Sequence, residues 1–549
     1  MRRTGLVLIT LWVAASAGAQ PEIVPAEHRV YDWLSDQRVA GVLPEFDSGT
    51  RPQDRLAIRR HLDSLSVRAD RLGASGRYWL SEFRREFFEP LDRVHSYVGD
   101  GTAAWASRDA ERTWLYSRDD DWRAVVWGEG ALEVRSSEQE PTASGVSRSA
   151  RLTFEASWRD RIGLYTSTIN GAQFTGDTRV LLADPLLAPL YFVSRDSSNV
   201  QGPFDQSTAV VRGIAGPFWA EIANARLTVG TSADDPLAVS DNADYLPFVR
   251  LGLRTRSVRV QAIHAALSSR SRTVLDENGN EAFFDSPERF MAMHRLDVQP
   301  AGWISAAFTE AVIYGRRGPE LAYLNPLFPV EAAEHALWDR DNAFFTLETS
   351  VRPIRGVELY GTWLVDDLAT ATLGDASYGN KWAIQAGAQI TVPRTGVTGF
   401  AEYTRIEPYT YTHRFQENGI FFNSVTQNGF GIGHPLGPNA DQWLAGVNLW
   451  LPFRARGRIA GRYVRKGRNP VDPETGATIN IGGDIRNGSR PADDRKVFLA
   501  GDVFRGPGIE TDVEIEPIRG VALRGYGNIQ MWDDRATRVF VRFGLAVRP

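Results

Sequence analysis

The chain of 549 residues contains no cysteine. It therefore has no disulfide framework, no thiolate metal ligand and no cysteine nucleophile. The absence is typical of a protein exported into an oxidising compartment, where free thiols would mispair. The eight histidines are scattered, and no H-E-x-x-H or other paired metal spacing occurs among them. We predict no metal site and no cofactor.

Lysine is also nearly absent, since it occurs only at 381, 466 and 496 among 62 basic residues. Two interpretations stay open. Biased codon usage explains the count without any function. Alternatively, arginines that line an interior or a loop could bind acidic sugars or phosphate through bidentate hydrogen bonds from their planar guanidinium groups. The net charge of −5 is small for this length and argues against a nucleic-acid partner.

Long apolar runs are missing beyond the N-terminus, so the sequence predicts no transmembrane helix. At the N-terminus, two arginines precede a short apolar stretch, and Ala17-Gly18-Ala19 follows as a small-residue cleavage site. This order is typical of a secretory signal peptide, which we predict to span residues 1–19 and to be cleaved.

The chain is rich in alternating apolar and polar residues, most clearly near its C-terminal end. Val539, Val541, Phe543 and Leu545 alternate with polar residues such as Arg542, which puts the two sets on opposite faces of a strand. The polar face is too charged for the core of a soluble sheet, and the pattern recurs in hairpin after hairpin. It predicts a mostly β protein, a transmembrane antiparallel β-barrel with lipid outside and polar groups inside.

Very short turns join many of these strands. Pro353-Ile354-Arg355-Gly356 and Pro517-Ile518-Arg519-Gly520 are near-identical, and proline and glycine suit tight reversals. Long polar connections lie at 366–379, 405–441 and 466–494. Short turns at one end and long loops at the other are typical of outer-membrane barrels, whose long loops are extracellular.

The alternating pattern gives twenty candidate strands between residues 122 and 548. Some are weak, and the strand number of bacterial barrels is even, so we predict about eighteen. Two segments that contain proline, Leu181 to Gln206 and Tyr323 to Asp339, do not fit the pattern. We predict that they pack in the lumen or over a barrel mouth.

The region ahead of the strands has a different pattern. Residues 30–34 and 56–72 carry apolar positions at helical spacing, and Thr50 to Gln53 resembles a helix-capping sequence. We predict a small periplasmic helical domain or plug over residues 20–100. The outer-membrane barrel is predicted to occupy residues 101–549.

The chemically richest loop lies between residues 407 and 434. Aromatic rings can stack on sugar C–H faces, while sugar hydroxyls need planar hydrogen-bonding partners. The candidate polysaccharide-binding residues are Glu407, Tyr409, Tyr411, His413, Arg414, Phe421, Phe422 and Asn423. The alternative is a loop packed on itself with these aromatics as its core. The charged loop at 466–495 is predicted to be solvated, and no G-x-S-x-G elbow is present, so we predict no enzyme activity.

Three stretches resemble the capsule assembly Wzi family of outer-membrane proteins. They are YLNPLFPVEAAEH at 323–335, DNAFFTLETSVRPIRGVELYGTWLVDD at 341–367, and LAVSDNADYLPFVRLGL at 237–253. In the first two stretches the motif positions are structural rather than catalytic: Tyr323, Asn325, Pro326, Asp341, Asn342, Asp366 and Asp367.

The resemblance implies a barrel of about eighteen strands closed by a periplasmic helical bundle. It implies a lectin-like, non-enzymatic role in binding capsular or exported polysaccharide at the cell surface and supporting capsule assembly or attachment. The expected partners are that polysaccharide, outer-membrane lipid and periplasmic export machinery. A porin-like diffusion channel or transporter is the alternative, motivated by the acidic inward positions Glu510, Asp512, Glu514 and Glu516.

Overall fold

The computed structural model of the protein describes most of the chain after the predicted signal peptide. The described residues are 20–45, 49–88, 94–96, 111–118, 121–138, 142–190, 202–268, 272–275, 281–284, 288–326, 328–338, 340–368, 375–416 and 420–548. The predicted signal peptide lies outside them, as does the boundary predicted between the helical domain and the barrel.

Eighteen antiparallel strands close into a barrel, in which each strand pairs with the next along the chain and the last pairs with the first. In chain order they are β1 (Trp122–Ser137), β2 (Ala143–Trp158), β3 (Ile162–Gly176), β4 (Pro203–Ala215), β5 (Phe218–Ala225), β6 (Leu246–Arg254), β7 (Val258–Leu267), β8 (Arg289–Ala301), β9 (Ile304–Gly315), β10 (Asn342–Ile354), β11 (Val357–Leu368), β12 (Asn380–Val392), β13 (Val397–Ile406), β14 (Ala440–Leu451), β15 (Ala455–Arg468), β16 (Asp502–Ile518), β17 (Val521–Gln530) and β18 (Arg538–Val547). A short strand, Leu115–Arg118, also pairs with β1. The predicted fold class is confirmed.

The sequence pattern separates the candidate strands 122–128 and 131–137, and likewise 495–504 and 509–517, but each pair forms a single strand, which accounts for the difference between twenty candidates and eighteen strands. Glu129 and Gly130 stay in register with β2, so residues 122–137 form one strand. Pro507 and its flanking glycines remain paired with β15, so β16 runs without interruption, and the residues just before Asp502 belong to a loop. Pairing with neighbouring strands overrides the local turn preference of glycine and proline at these positions.

The tight turns predicted from the sequence are present and lie together at one end of the barrel. Pairing reaches Ile354 and Val357 in one hairpin, so only Arg355 and Gly356 reverse the chain. Gly356 has φ of +84° and Gly520, in the matching turn, +81°, which glycine adopts without strain. We call this the short-turn end and the opposite one the long-loop end.

Alternation along each strand sorts side chains between the outside and the lumen. In β12, Ile390 and Val392 are exposed on the outer wall, whereas Gln385 and Thr391 are buried inside. In β18, Phe543 is 63% exposed on the outside and Phe540 is buried inside. An apolar exterior around a polar interior is the arrangement that a lipid environment requires.

In the described residues before the barrel there are three helices, α1 (Val30–Val39), α2 (Arg55–Val67) and α3 (Ala74–Phe88), with a 3₁₀ turn at Ala69–Arg71. Their apolar faces form one core that includes Trp33, Leu62 and Trp79. The side chain of Asp54 caps α2 by accepting from the Ala57 amide (2.7 Å). The predicted cap at Thr50 is wrong, since Thr50–Arg51 instead pairs with Thr228–Val229.

The helical domain packs against the short-turn end of the barrel. Trp79 Nε1 donates to the carbonyl of Leu451 (3.0 Å), and Arg519 donates to Glu82 (2.8 Å). Arg29 donates to the inward carboxylate of Glu514 (2.9 Å). These contacts place the helices across the mouth. No helix among the described residues is long and apolar enough to cross a membrane.

The contact between α1 and β14 should make the docking of the helical domain depend on pH. Trp450 Nε1 donates to the carboxylate of Asp36 (2.7 Å), and burial raises the pKa of Asp36 from 3.8 to about 7. The folded state thus holds a proton that the unfolded state has lost. Its stabilising contribution is complete below about pH 4 and is lost as the pH rises through about 7, on the order of a few kcal/mol at most.

We therefore expect the helical domain to melt at a lower temperature at pH 8 than at pH 5, as followed by far-UV circular dichroism of the refolded protein. Asp36→Asn keeps an acceptor for Trp450 but cannot ionise. The difference in melting temperature between pH 5 and pH 8 should therefore be smaller in this variant than in the wild type. Burial also raises the pKa of Glu22 to about 7, so Glu22 should account for the part of the melting-temperature difference that persists in Asp36→Asn. The same pH dependence in wild type and Asp36→Asn would refute the role of Asp36.

The segment between β5 and β6 crosses the lumen. Arg458 of β15 donates to the carbonyl of Ala233 (3.0 Å) and to Asp234 (2.8 Å), and the Ala233 amide donates to Glu402 of β13 (3.0 Å). Strands β5 and β13 are eight positions apart around the eighteen-stranded barrel, so this segment joins nearly opposite walls.

The other short elements of the described residues lie ahead of the barrel or in the connections between its strands. The paired short strands are Ile23–Val24 with Gln53–Asp54, Val94–Ser96 with Glu111–Thr113, Arg272–Leu275 with Glu281–Phe284, and Thr426–Gln427 with Phe430–Gly431. The helices are α4 (Arg179–Ala183), α5 (Leu321–Leu324) and α6 (Val330–Ala336).

The two segments predicted to pack in the lumen or over a mouth take different places. After α4, the buried Asp184 accepts from Arg135 of β1 and Arg542 of β18, so the part of the first segment before residue 191 packs inside the barrel as predicted. Residues 191–201 lie outside the described residues, and residues 203–206 belong to β4, contrary to the prediction. The helices α5 and α6 instead pack on outward-facing residues such as Val312. The placement predicted for Tyr323 to Asp339, in the lumen or over a barrel mouth, is therefore wrong for its described residues, because alternation along β9 turns Val312, on which they pack, outward.

Candidate functional site

The candidate residues predicted from the loop after β13 fall into two groups at the long-loop end. Five are buried: Glu407, Tyr409, Tyr411, Phe422 and Asn423. His413 and Phe421 are partly exposed, and Arg414 is exposed. The buried group can position the loop but cannot touch a large ligand, so any direct contact with a polysaccharide falls to the second group and its neighbours.

The buried residues tie three loops together. Glu407 accepts from Lys496 Nζ (2.8 Å) in the loop before β16. The hydroxyl of Tyr409 donates to the carbonyl of Asn480 (2.9 Å), and that of Tyr411 donates to the carbonyl of Leu237 (2.8 Å) in the segment that crosses the lumen. These rings form the small core that the alternative interpretation of this loop predicted.

Asn423 joins the same loop to the start of β10. Its side-chain amide donates to the carbonyl of Arg340 (2.9 Å), and its own carbonyl accepts from the side chain of Asn342 (2.9 Å). Arg289 of β8 donates to the carbonyl of Phe422 beside it. The backbone from 422 to 424 is therefore held by two strands of the barrel.

The motif residues of the family resemblance lie in the same region. Asp341 accepts from the hydroxyl of Tyr323 (2.7 Å) and from Arg317. Asp366 is buried and accepts from the amide of Tyr411 (2.7 Å), while Asp367 lies 3.5 Å from Lys381 Nζ. Asn325 and Pro326 are exposed in the turn that follows α5.

The exposed part of this loop carries an aromatic and cationic group of side chains. The rings of His413 and Phe415 lie 4.8 Å apart, and the guanidinium of Arg414 is 5.2 Å from the centroid of Phe415. Burial, with the cations of Lys381 and Arg414 nearby, lowers the pKa of His413 to about 3. The imidazole is therefore neutral at neutral pH, and its Nδ1 has no hydrogen-bond partner among the described residues.

The loop before β16 completes this surface, which the sequence did not predict. Gly488 packs so closely on the backbone of His413 that a Cβ there would lie 2.0 Å from the His413 carbonyl oxygen. Its own carbonyl accepts from the hydroxyl of Tyr378 (3.2 Å), and Arg486 and Arg490 are exposed on either side. We call His413, Arg414, Phe415, Arg486 and Arg490 the rim. The tight glycine contact between two long loops leaves no local signal in the sequence.

The acidic positions that suggested a channel are paired with arginines inside the barrel. Glu514 and Glu516 accept from Arg29 of the helical domain, and Glu510 accepts from Arg462 (2.5 Å). A cavity of about 610 Å³ remains between the helical domain and the wall formed by β1–β4 and β16–β18. Many lumenal arginines therefore form ion pairs that hold the helical domain and the barrel wall together, which is a structural role for arginine.

A closed barrel with an apolar outer wall, interlocked long loops and a polar lumen occupied from both ends defines an outer-membrane β-barrel with a filled interior. The chain belongs to the capsule assembly protein Wzi family, whose model matches residues 139–491, more than half of the chain. The comparison with curated proteins finds no match.

Among solved structures, the chain is similar to Wzi of Escherichia coli, described as an outer membrane protein involved in group 1 capsule assembly and a carbohydrate-binding β-barrel. The TM-score is 0.58 at 13% identity, covering 96% of this chain and 99% of that one. OprD of Pseudomonas aeruginosa (TM-score 0.41, 10% identity, 77% and 95% covered) and OccAB4 of Acinetobacter baumannii (0.42, 10%, 77% and 98%) also match. At these identities the comparison with Escherichia coli Wzi shows the fold.

Proposed function

We propose that this protein binds capsular or exported polysaccharide at its rim and thereby supports capsule assembly or attachment, without catalysis. The observation that carries the proposal is the cluster of the exposed Arg414 with the partly exposed rings of His413 and Phe415 on an otherwise tightly interlocked mouth. Membership of the capsule assembly family and the carbohydrate binding described for Escherichia coli Wzi support it.

The chemistry of the rim suits a glycan. The ring of Phe415 offers a stacking face for a sugar, and the neutral imidazole of His413 can exchange hydrogen bonds with hydroxyls. Arg414 adds a planar, charged donor that matches carboxylate or phosphate groups, and so do Arg486 and Arg490, each of which also pairs at the surface with an aspartate, Asp484 (3.1 Å) and Asp494 (2.9 Å). The rim therefore favours an acidic polysaccharide over a neutral one.

The orientation follows from the same proposal. The long loops face the outside of the cell, and the helical domain faces the periplasm, where it could contact export machinery. The outer wall contacts outer-membrane lipid, and the N-terminal signal is removed during export. A porin-like channel is less favoured, because the segment around Ala233 spans the lumen and the acidic stripe of β16 is paired with arginines.

The rim can be tested by glycan-array screening of the refolded protein, followed by affinity measurement with the best acidic glycan. The double variant Arg414→Ala/Phe415→Ala should weaken binding at least about tenfold, since it removes a stacking face and a charged donor. Arg71→Ala, an exposed arginine on the helical domain, is the matched control and should bind as wild type does.

Planar-bilayer conductance of the same preparations separates the two functions. We expect no steady open-state current from the wild type. A large steady current together with no glycan binding would contradict the proposal and favour the channel. Equal binding by the rim variant and the Arg71 control would move the glycan site away from the rim.

A further inference from the structure

The connection between β9 and β10 forms a second layer on the outside of the barrel. Thr309 faces the lumen, where it accepts from Arg295 (2.9 Å), so alternation turns Val312 and Tyr314 outward. Both are nonetheless fully buried, because α5 and α6 cover them. The ring of Tyr323 lies 5.1 Å from that of Tyr314 and closes the contact.

The covered residues lie at the level where the membrane should end. Trp303 is 57% exposed in the tight turn before β9, as interfacial aromatics are at the edge of a bilayer. A tilted strand crosses the hydrocarbon layer in about 9–11 residues. Counting from Ile304, that length ends between Val312 and Tyr314, the last outward residues of this 12-residue strand. The helices that cover them therefore lie at the membrane interface.

The side of this layer that faces away from the barrel exposes large apolar side chains. Leu321 is 78% and Trp338 is 89% exposed, and Leu324 and Phe328 are exposed as well. Leu296, Phe308 and Leu347 form the exposed apolar wall toward the short-turn end. On β10, Phe345 and Ala343 connect this wall to the covered layer, whereas on β8 and β9 the outward pair of His294 and Glu310 (3.0 Å) lies between the two apolar surfaces. Soluble surfaces seldom leave such large side chains so open together, whereas an acyl-chain environment favours them.

Polar residues bound the segment in the way expected of an interfacial element. Arg316 and Arg340 are exposed at its two ends, where long arginine side chains can reach headgroup phosphates. Glu331 and His335 are also exposed, 3.8 Å apart on α6, which gives that helix an aqueous side. A short amphipathic segment with both kinds of surface lies in the interface rather than across the bilayer.

We propose that the described residues of 316–340 form a lipid-binding element that inserts Leu321, Leu324, Phe328 and Trp338 among the acyl chains of the outer leaflet. The element belongs to the outer wall and not to the rim. Because Asp341 and Asn342 join it to the loop that carries Asn423, contact with the bilayer would also hold that loop at a fixed height above the membrane. This proposal does not depend on which glycan the rim binds.

Single-cysteine spin labelling tests the proposal without background, because the chain has no cysteine of its own. Labels at Leu321→Cys and Trp338→Cys, in protein refolded into phosphatidylcholine vesicles, should collide with lipid-soluble oxygen several-fold more than with the water-soluble nickel relaxation agent Ni-EDDA. Ile479→Cys in the loop before β16 and Val67→Cys on α2 are exposed control sites and should show the reverse preference.

Both test positions are largely exposed, so labelling them removes little packing, and heat-modifiable gel mobility confirms that each variant is folded. Nickel accessibility at 321 and 338 as high as at Ile479 would overturn the proposal. Dipolar broadening between labels at high lipid-to-protein ratio would overturn it too, since a second copy of the chain would then cover the segment.

Discussion

Glu221→Ala should destabilise the folded barrel by about 3–5 kcal/mol, the cost of removing one partner from a buried ion cluster. Glu221 of β5 is fully buried between two arginines: Arg212 donates to it at 2.6 Å and Arg250 at 2.7 Å. Arg212 also donates to Asp54, the cap of α2 (3.0 Å). Without Glu221, two cations stay buried with one carboxylate, and the link between the helical domain and the wall weakens.

The measurement is urea unfolding of the protein in lipid vesicles, followed by tryptophan fluorescence. Asp533→Asn is the matched control, because its pair with Arg505 is well exposed and exposed pairs contribute little to stability. If the two variants lose the same stability, the cluster around Glu221 is solvated in the folded protein and its proposed role is wrong.

Phe543→Arg should have the next largest effect, about 2–4 kcal/mol against folding in a bilayer, because it moves a charge onto the lipid face near the middle of β18. Leu545→Arg should cost less, since Leu545 lies closer to the short-turn end. Phe543→Leu is the control and should fold nearly as well as wild type. Folded yield in vesicles, scored by heat-modifiable gel mobility, gives the order directly.

An arginine at 543 that folds as well as leucine would place this face of β18 against water. Alternation alone suggests Arg542→Gln as a tolerated lumenal change, but the structure alters that expectation. Arg542 donates to the buried Asp184 (2.6 Å), so glutamine there would leave Asp184 with a weaker set of partners. A lumenal substitution is therefore a neutral control only where the original side chain does not pair with a buried charge.

The barrel itself could be predicted from the sequence because its main cause is local. A period of two reports which face of each strand meets lipid, and pairs such as Arg355-Gly356 mark where the chain reverses. The two merged strands show the limit of local reasoning. Glycine and proline near Pro507 resemble a turn, yet pairing with β15 keeps the strand extended.

The position of the candidate loop could be predicted from the sequence, but the exposure of its individual side chains could not. The aromatic loop after β13 does lie at the long-loop end, where the predicted topology puts it. Which of its residues reach solvent could not be predicted, because burial of Tyr409 and Tyr411 depends on carbonyls of Asn480 and Leu237, far away in sequence. His413, Arg414 and Phe415 belong to the rim through contacts within one loop, and Arg486 and Arg490 join them only because Gly488 packs against His413.

The sequence by itself determined the class of fold, the approximate strand number and the direction of each strand's two faces, since these follow from the spacing of neighbouring residues. Only the tertiary structure decided what fills the lumen and what covers the wall. The contacts of Arg458 with Ala233 and of Arg212 with Asp54 depend on the closure of the sheet. The contact of Tyr323 with Tyr314 depends on the packing of α5 and α6 against the outer wall. Closure of the barrel brings segments that are far apart in sequence together in the lumen and at the mouths. The periodicity of neighbouring residues contains no information about these contacts.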